Sequence, residues 1–257
     1  MLTHVVDDDQ PQRLIDVERG EAAALLHELT TTIRETDGID CDSQVALGDA
    51  FQGIVRMAEE NDVDLLVLGP HRRQILRDAF FGTTAERVVR TSRRPVLMAN
   101  GVPAGPYRRV LVATDFSDLA FAAAQAAKEL GLFAAAEIVA LHVVDPDEGG
   151  PILRAAVRVK EAEDRADEMA ARAREELDIF MRKLGIVAAR RVITEAGKST
   201  SMAINKYAES IKADLVVVGT HGRSGIENWL LGSVAEDVLR HAEIDVLAVP
   251  PSVKPTP

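Results

Sequence analysis

The sequence predicts an α/β protein of two tandem doubly wound parallel-sheet domains, the first lacking its N-terminal strand and helix. Three observations carry that prediction. Short runs rich in Val, Ile and Leu alternate with helical stretches. The runs are continuous rather than alternately apolar and polar, the pattern of strands buried on both faces. Finally, the chain repeats itself. Thr3-His4-Val5-Val6-Asp7 matches Leu141-His142-Val143-Val144-Asp145, and Asp64-Leu65-Leu66-Val67-Leu68-Gly69 matches Asp214-Leu215-Val216-Val217-Val218-Gly219. Phe81–Arg90 matches Leu231–Arg240, and Pro95–Ala99 matches Asp245–Val249. The last three pairs share an offset of 150 residues, whereas the first is offset by 138. The second copy therefore carries extra residues in its middle, mostly in one long helix.

In order along the chain, copy one covers residues 1–100 and copy two residues 107–251. Between them Asn100–Pro106, rich in glycine and proline, reads as a linker. Copy two opens with strand Val110–Ala113 and the Ala-rich helix Ser117–Leu130. Strand Ile138–Val144 precedes a long helix, Ile152–Leu184. That helix spaces Val159, Ala162, Ala166, Met169, Ala173, Leu177, Phe180 and Leu184 by threes and fours along one face. Strand Arg191–Thr194, helix Ser199–Ile211, strand Leu215–Val218, helix Ser233–His241 and strand Val246–Val249 complete it. In copy one the first recognisable segment, Thr3–Val6, matches the second strand of copy two. Nothing in it corresponds to Arg109–Ser117 or to the helix that follows.

Composition excludes several classes of function. Hydrophobic residues at 47% and charged residues at 28% are the balance of a folded globular chain, not a disordered one. A formal charge of −11 repels polyphosphate backbones and anionic membranes. Aromatics at 4% are too few for a base-stacking platform. Cys41 is the single cysteine, so a reducing, cytoplasmic setting is expected. The acidic start, MLTHVVDDDQ, is not that of a signal peptide, and no apolar run approaches a membrane span.

The sharpest chemical pattern is Gly219-Thr220-His221-Gly222, nine residues, then Gly232-Ser233. It leaves the strand Leu215–Val218 and feeds the helix Ser233–His241. A loop of that kind gathers free backbone N–H groups at the positive end of a helix dipole, which suits a phosphate. Glycines let the backbone approach an anion without an intervening Cβ. Ser233 is expected to cap the helix and to offer its hydroxyl. Any one glycine is more often an ordinary turn residue. The whole pattern on a strand–loop–helix favours the functional reading.

These residues resemble the nucleotide-binding signature of the universal stress protein A family, ATP-binding branch. Ala113-Thr114-Asp115-Phe116-Ser117, Leu141–Asp145 and Val246–Val249 match that family too. The resemblance implies five-stranded parallel sheets of order 3-2-1-4-5. It implies that nucleotide would be held by Thr114, Asp115, Val143, Gly219, His221, Gly222, Arg223, Gly232, Ser233 and Val234. It implies ATP, or else ADP or AMP, with Mg2+ accompanying ATP. It also implies that the last strands, Pro95–Ala99 and Val246–Val249, pair within the chain as a pseudo-dimer, with a homodimer of chains as a further level. In a sheet of that order, the ends of strands one and four face one crevice where connections diverge, the place where open α/β sheets bind ligands. Asp115 ends strand one and Gly219 ends strand four. Asp115 could also serve simply as a cap for the helix near Ser117.

Copy one departs from the pattern. Arg72 stands where Gly222 stands, although Thr83 keeps a hydroxyl after Gly82. One nucleotide site per chain, in copy two, is therefore expected. The missing central strand would leave unpaired edges. Three outcomes are open: the given start lies downstream of the true one, a partner chain fills the slot, or copy one repacks. The first is preferred, because no other segment reads as a spare strand.

Other candidates weaken on inspection. Gly197-Lys198-Ser199 lacks the glycine of a Walker A loop, since Val192 stands there, and Ser199 reads as a helix cap. His4, His71, His142 and His221 lack close metal-ligand spacing. His142, on a buried strand, reads as a hydrogen-bonded core residue. Asp40 and Asp42 oppose thiolate formation at Cys41. No general base or metal ligand set for efficient phosphoryl transfer is evident, so any ATP hydrolysis should be slow. The expected function is nucleotide-dependent stress regulation. The alternatives are a protein-interaction module without nucleotide and an adenylating enzyme of a related fold.

Overall fold

The computed structural model describes residues 1–69, 83–101, 105–144, 159–186, 189–222 and 231–251. The chain divides into two compact units, one made of Met1–Val63 and Gly82–Thr91, the other of Asp64–Phe81 and Ser92–Pro257.

In the first unit, β1 (Leu2–Val6) and β2 (Ser43–Leu47) form a parallel pair, Leu2 opposite Ser43 and Val6 opposite Leu47. Between them in sequence runs α1 (Gln12–Asp37), which ends where Gly38 turns left-handed at φ 68° and donates its N–H to Arg34 O. Helix α2 (Ala50–Glu60) starts at Asp49, whose side chain accepts from the N–H groups of Phe51 and Gln52. It lies so close to β1 that a Cβ on Gly53 would fall 2.6 Å from Val5 Cγ1. Helix α3 (Thr83–Thr91) follows, with Arg87 stacked over the Phe51 ring at 3.5 Å and paired with Asp49 at 3.3 Å. Val6, Ile15 and Ala22 form the small core.

The second unit holds β3 (Leu66–Leu68), β4 (Val96–Met98), β5 (Arg109–Ala113), α4 (Asp118–Glu129), β6 (Glu137–Val144) and α5 (Val159–Lys183). It continues with β7 (Arg190–Glu195), α6 (Thr200–Ser210), β8 (Leu215–Gly219), α7 (Ser233–His241) and β9 (Asp245–Val249). Its seven-stranded sheet runs β3-β4-β9-β8-β5-β6-β7. The five strands of copy two thus stand in the order 3-2-1-4-5. Within copy two every neighbouring pair is parallel. Both faces are covered: Val110, Leu111 and Val112 of β5 are at most 1% exposed although their side chains alternate sides. One face packs on the alanines of α4, on Leu177, Phe180 and Met181 of α5, and on Leu184 just after it. Of the apolar face expected along the long helix, Ala173, Leu177, Phe180 and Leu184 are buried, whereas Met169 is exposed; residues 152–158 lie outside the described ones.

The compact units cross the repeat boundary. In copy one, β1, β2, β3 and β4 correspond to strands two to five, and among the described residues none corresponds to strand one. In the order 3-2-1-4-5, strand one is the only link between strands two and four. Accordingly β1 and β2 form a sheet of their own, while β3 and β4 extend the sheet of copy two. The junction is antiparallel: Val96 lies opposite Ala248, Leu97 opposite Leu247 and Met98 opposite Val246. Leu97 and Leu247 are equivalent residues of the two copies, so this register has a local two-fold axis through them, the geometry of an isologous contact.

Asp245, at the start of β9, anchors both sides of the linker. Its carboxylate accepts from the Gly101 N–H at 2.7 Å and from the Tyr107 hydroxyl at 2.7 Å. Burial pushes the Tyr107 hydroxyl well above its usual range, with further contributions from its hydrogen bond to Asp245 and the charges of Asp245 and Asp214. A group raised in the folded state contributes stability that is complete below its unfolded pKa, about 10, and is lost as pH climbs past it. Tyr107→Phe is therefore expected to lower stability by about 1.5 kcal/mol near neutrality. In thermal melts at a series of pH values, the variant should also show a shallower alkaline decline than the parent chain.

Candidate functional site

A parallel sheet delivers all its strand-to-helix turns to one edge, so the N-termini of α4, α6 and α7 gather there. At that edge, beyond the ends of β5, β6 and β8, lies a cavity of about 400 Å³. Its walls include Thr114, Asp115, Val143, Gly219, His221, Gly222, Gly232, Ser233 and Val234. Of the positions expected to hold nucleotide, Arg223 lies outside the described residues, and so do Asp145 and, in the first copy, His71, Arg72 and Gly82.

The first wall is the turn after β5. Thr114 continues the ladder, its N–H donating to Leu141 O at 2.9 Å, and its Oγ1 accepts from the Phe116 N–H at 3.0 Å. Asp115 Oδ1 accepts from both the N–H and the hydroxyl of Ser117, at 3.0 and 2.6 Å. Ser117 in turn caps α4 by accepting from the Ala120 N–H at 3.1 Å. Ser117, not Asp115, is therefore the cap. One carboxylate oxygen of Asp115 braces the turn, and the other, Oδ2, lies toward Gly222.

This turn is strained. Phe116 has φ 67°, the left-handed region that costs a residue with a Cβ about 1–2 kcal/mol. Its ring stacks on His142 with centroids 4.3 Å apart. His142 Nδ1 lies 2.8 Å from Thr114 O; a carbonyl can only accept, so Nδ1 carries the proton. The expected hydrogen-bonded histidine is thus present, and it also lines the cavity.

The second wall is the loop after β8. The Thr220 N–H donates to Val249 O at 2.9 Å, and Thr220 O accepts from the Gly232 N–H at 2.7 Å, which ties the two ends of the loop together. His221 Nδ1 lies 3.0 Å from Thr220 Oγ1. Two glycines of the loop mark close approaches, Gly232 to fixed backbone and Gly222 to the end of a side chain that can swing aside. A Cβ on Gly232 would fall 3.1 Å from Thr220 O, and one on Gly222 would fall 3.0 Å from Asp115 Oδ2. Ser233 is not the helix cap. Gly232 holds that position, its carbonyl accepting from the Glu236 N–H, and Ser233 is the first helical residue. Gly232 is extended, at φ −61° and ψ 139°, and the helix begins at Ser233, so the cap lies one residue earlier than expected. Ser233, Val234 and Ala235 form a first turn whose N–H groups have no intrahelical acceptor, and all three residues line the cavity.

The third wall was not foreseen. Thr200 and Ile204 of α6 join Leu141, Val143 and Val218 on the more apolar side. Ser199 caps α6, accepting from the Met202 N–H at 3.2 Å. The gathering of helix N-termini at one sheet edge is the signal that would have found Thr200. The arrangement suits a ligand with one flat apolar part and one anionic part: aliphatic side chains on one side, a helix N-terminus and close backbone on the other. Among the described residues no group of three or more His, Cys, Asp or Glu stands together as a metal site. Nor is any described helix long and apolar enough to cross a membrane.

Gly232→Ala is expected to destabilise the chain by about 1–3 kcal/mol, because the opposing carbonyl is fixed by the ladder partner of Thr220 and cannot retreat. Denaturant unfolding of the variant beside Gly197→Ala, a left-handed glycine with open space around it, separates crowding from backbone strain.

The profile of the Universal stress protein family matches the chain twice, at residues 1–100 and 106–250. A universal stress protein of Methanocaldococcus jannaschii is 32% identical over 151 residues, 56% of this chain and 82% of that one. Universal stress relatives in Staphylococcus aureus are 44% identical over 55 residues, 21% of this chain and 33% of theirs. Among solved structures, a universal stress protein from Pseudomonas aeruginosa UCBPP-PA14 superposes with a TM-score of 0.69 at 21% identity, covering 98% of this chain and 93% of that one. One from Archaeoglobus fulgidus gives 0.67 at 22% identity, covering 96% and 85%. These two structural likenesses bear on the fold alone.

Proposed function

The chain belongs to the universal stress protein family, in tandem form, and we propose that its second copy binds ATP and acts as a nucleotide-dependent stress regulator. The observation that carries the reading is the cavity at the ends of β5, β6 and β8, apolar on one side and faced by close-approach glycines and the N-terminus of α7 on the other. Leu141, Val143, Ile204 and Val218 offer a base the apolar wall it needs. Asp115 can accept from ribose hydroxyls. The first-turn N–H groups of α7 and the bare backbone at Gly222 and Gly232 suit the phosphates, with Mg2+ accompanying them. A cradle that a single Cβ at Gly222 would narrow against Asp115 is the steric fit for such a group.

In this reading each chain has one nucleotide site. Arg72 is the sequence equivalent of Gly222, so copy one lacks the bare glycine that this reading assigns to the phosphates. Association of chains into a homodimer belongs to the same proposal.

Isothermal titration with ATP, ADP, AMP and cyclic AMP tests it. ATP is expected to bind at one site per chain. Gly222→Arg is expected to weaken binding by at least about 30-fold, roughly 2 kcal/mol, with little change in melting temperature. Equal ATP affinity in that variant would remove the cleft assignment. Release of pyrophosphate from labelled ATP would instead favour an adenylating enzyme.

A further inference from the structure

We propose that His142 is a positioning residue: it locks the strained Thr114–Ser117 turn in the one conformation that aims Asp115 at the glycine loop. The proposal rests in part on the nucleotide reading, but its decisive test does not need nucleotide. Phe116 sits at φ 67°, a conformation from which a residue with a Cβ relaxes unless it is held. Two described contacts from His142 hold it. The Nδ1–H donates to Thr114 O at 2.8 Å, on the residue before Asp115. The imidazole face stacks on the Phe116 ring, on the residue after it, with centroids 4.3 Å apart and planes inclined by 30°. Asp115 is thus clamped on both sides by one side chain from the neighbouring strand. Its Oδ1 is committed to Ser117, so the direction of Oδ2 follows from the turn.

The repeat supplies an internal comparison. Copy one keeps the histidine as His4 on β1; among the described residues no counterpart of Thr114–Phe116 stands beside it, and His4 is exposed where His142 is half-buried.

Two substitutions separate the contacts in the full chain. His142→Phe keeps a ring against Phe116 and removes the donor, whereas His142→Asn keeps a donor at the Nδ1 position and removes the ring. The readout is amide hydrogen exchange without ligand. The Phe116 and Ser117 N–H groups, bonded to Thr114 Oγ1 and Asp115 Oδ1, report the turn. Those of Val216 and Val217 in the central sheet report global opening. His142→Phe is expected to speed exchange at Phe116 and Ser117 by about 10-fold relative to the sheet amides, and His142→Asn by about 3-fold or less. ATP affinity should fall in the same order. Exchange at the turn that tracks the sheet amides in both variants would overturn the proposal, because His142 would then be contributing only general stability. If the parent chain bound no nucleotide, the nucleotide reading would fail, while the exchange result would still decide this one.

Discussion

Strand β5 is hydrogen-bonded along both edges, to β6 from Arg109 to Ala113 and to β8 from Val110 to Val112. Much of the second unit depends on that double ladder. It joins strands that lie far apart in sequence, and it buries the largest aliphatic side chains of the sheet completely. Its end carries Thr114 and Asp115 to the edge where the helix N-termini gather. Its start is fastened as well, the Arg108 and Arg109 N–H groups donating to Asp214 at 2.7 and 3.0 Å. Among the described residues the first copy has no such strand, and its strands stand in two sheets. A two-stranded piece keeps its own small core, and the other two strands find their ladder partner in β9. Backbone groups must be satisfied somewhere, and an edge strand of the same twist is the nearest supply.

The cavity is the consequence of the same topology. Each wall is a turn leaving a parallel strand, and each is held by bonds made within the protein: Ser117 capping α4, Ser199 capping α6, Thr220 tying the two ends of the glycine loop. Among the described residues no side chain caps α7, since Gly232 rather than a serine stands at its start. The strain at Phe116 belongs with this pre-organisation. Strain of that size persists only where neighbouring contacts outweigh it, and His142 provides two of them.

Sequence alone determined the repeat and most of the helices and strands of copy two, which follow from local rules: continuous apolar runs for strands buried on both faces, and serine caps for α4 and α6. The grouping of Asp115 with Gly219, Gly222 and Gly232 came from the strand order that the resemblance implies. Only the tertiary structure decided which residue caps α7: Gly232 is extended and its carbonyl accepts from the Glu236 N–H, so Ser233 enters as the first helical residue. Only the tertiary structure brought Thr200 and Ile204 to the cavity, since α6 follows an edge strand and reaches the site through space. The pairing of Val96–Met98 with Val246–Ala248 is the one the resemblance implied, and only the tertiary structure decided that β3 and β4 part from β1 and β2. That split depends on which strands stand side by side, a property of the whole sheet rather than of any segment in it.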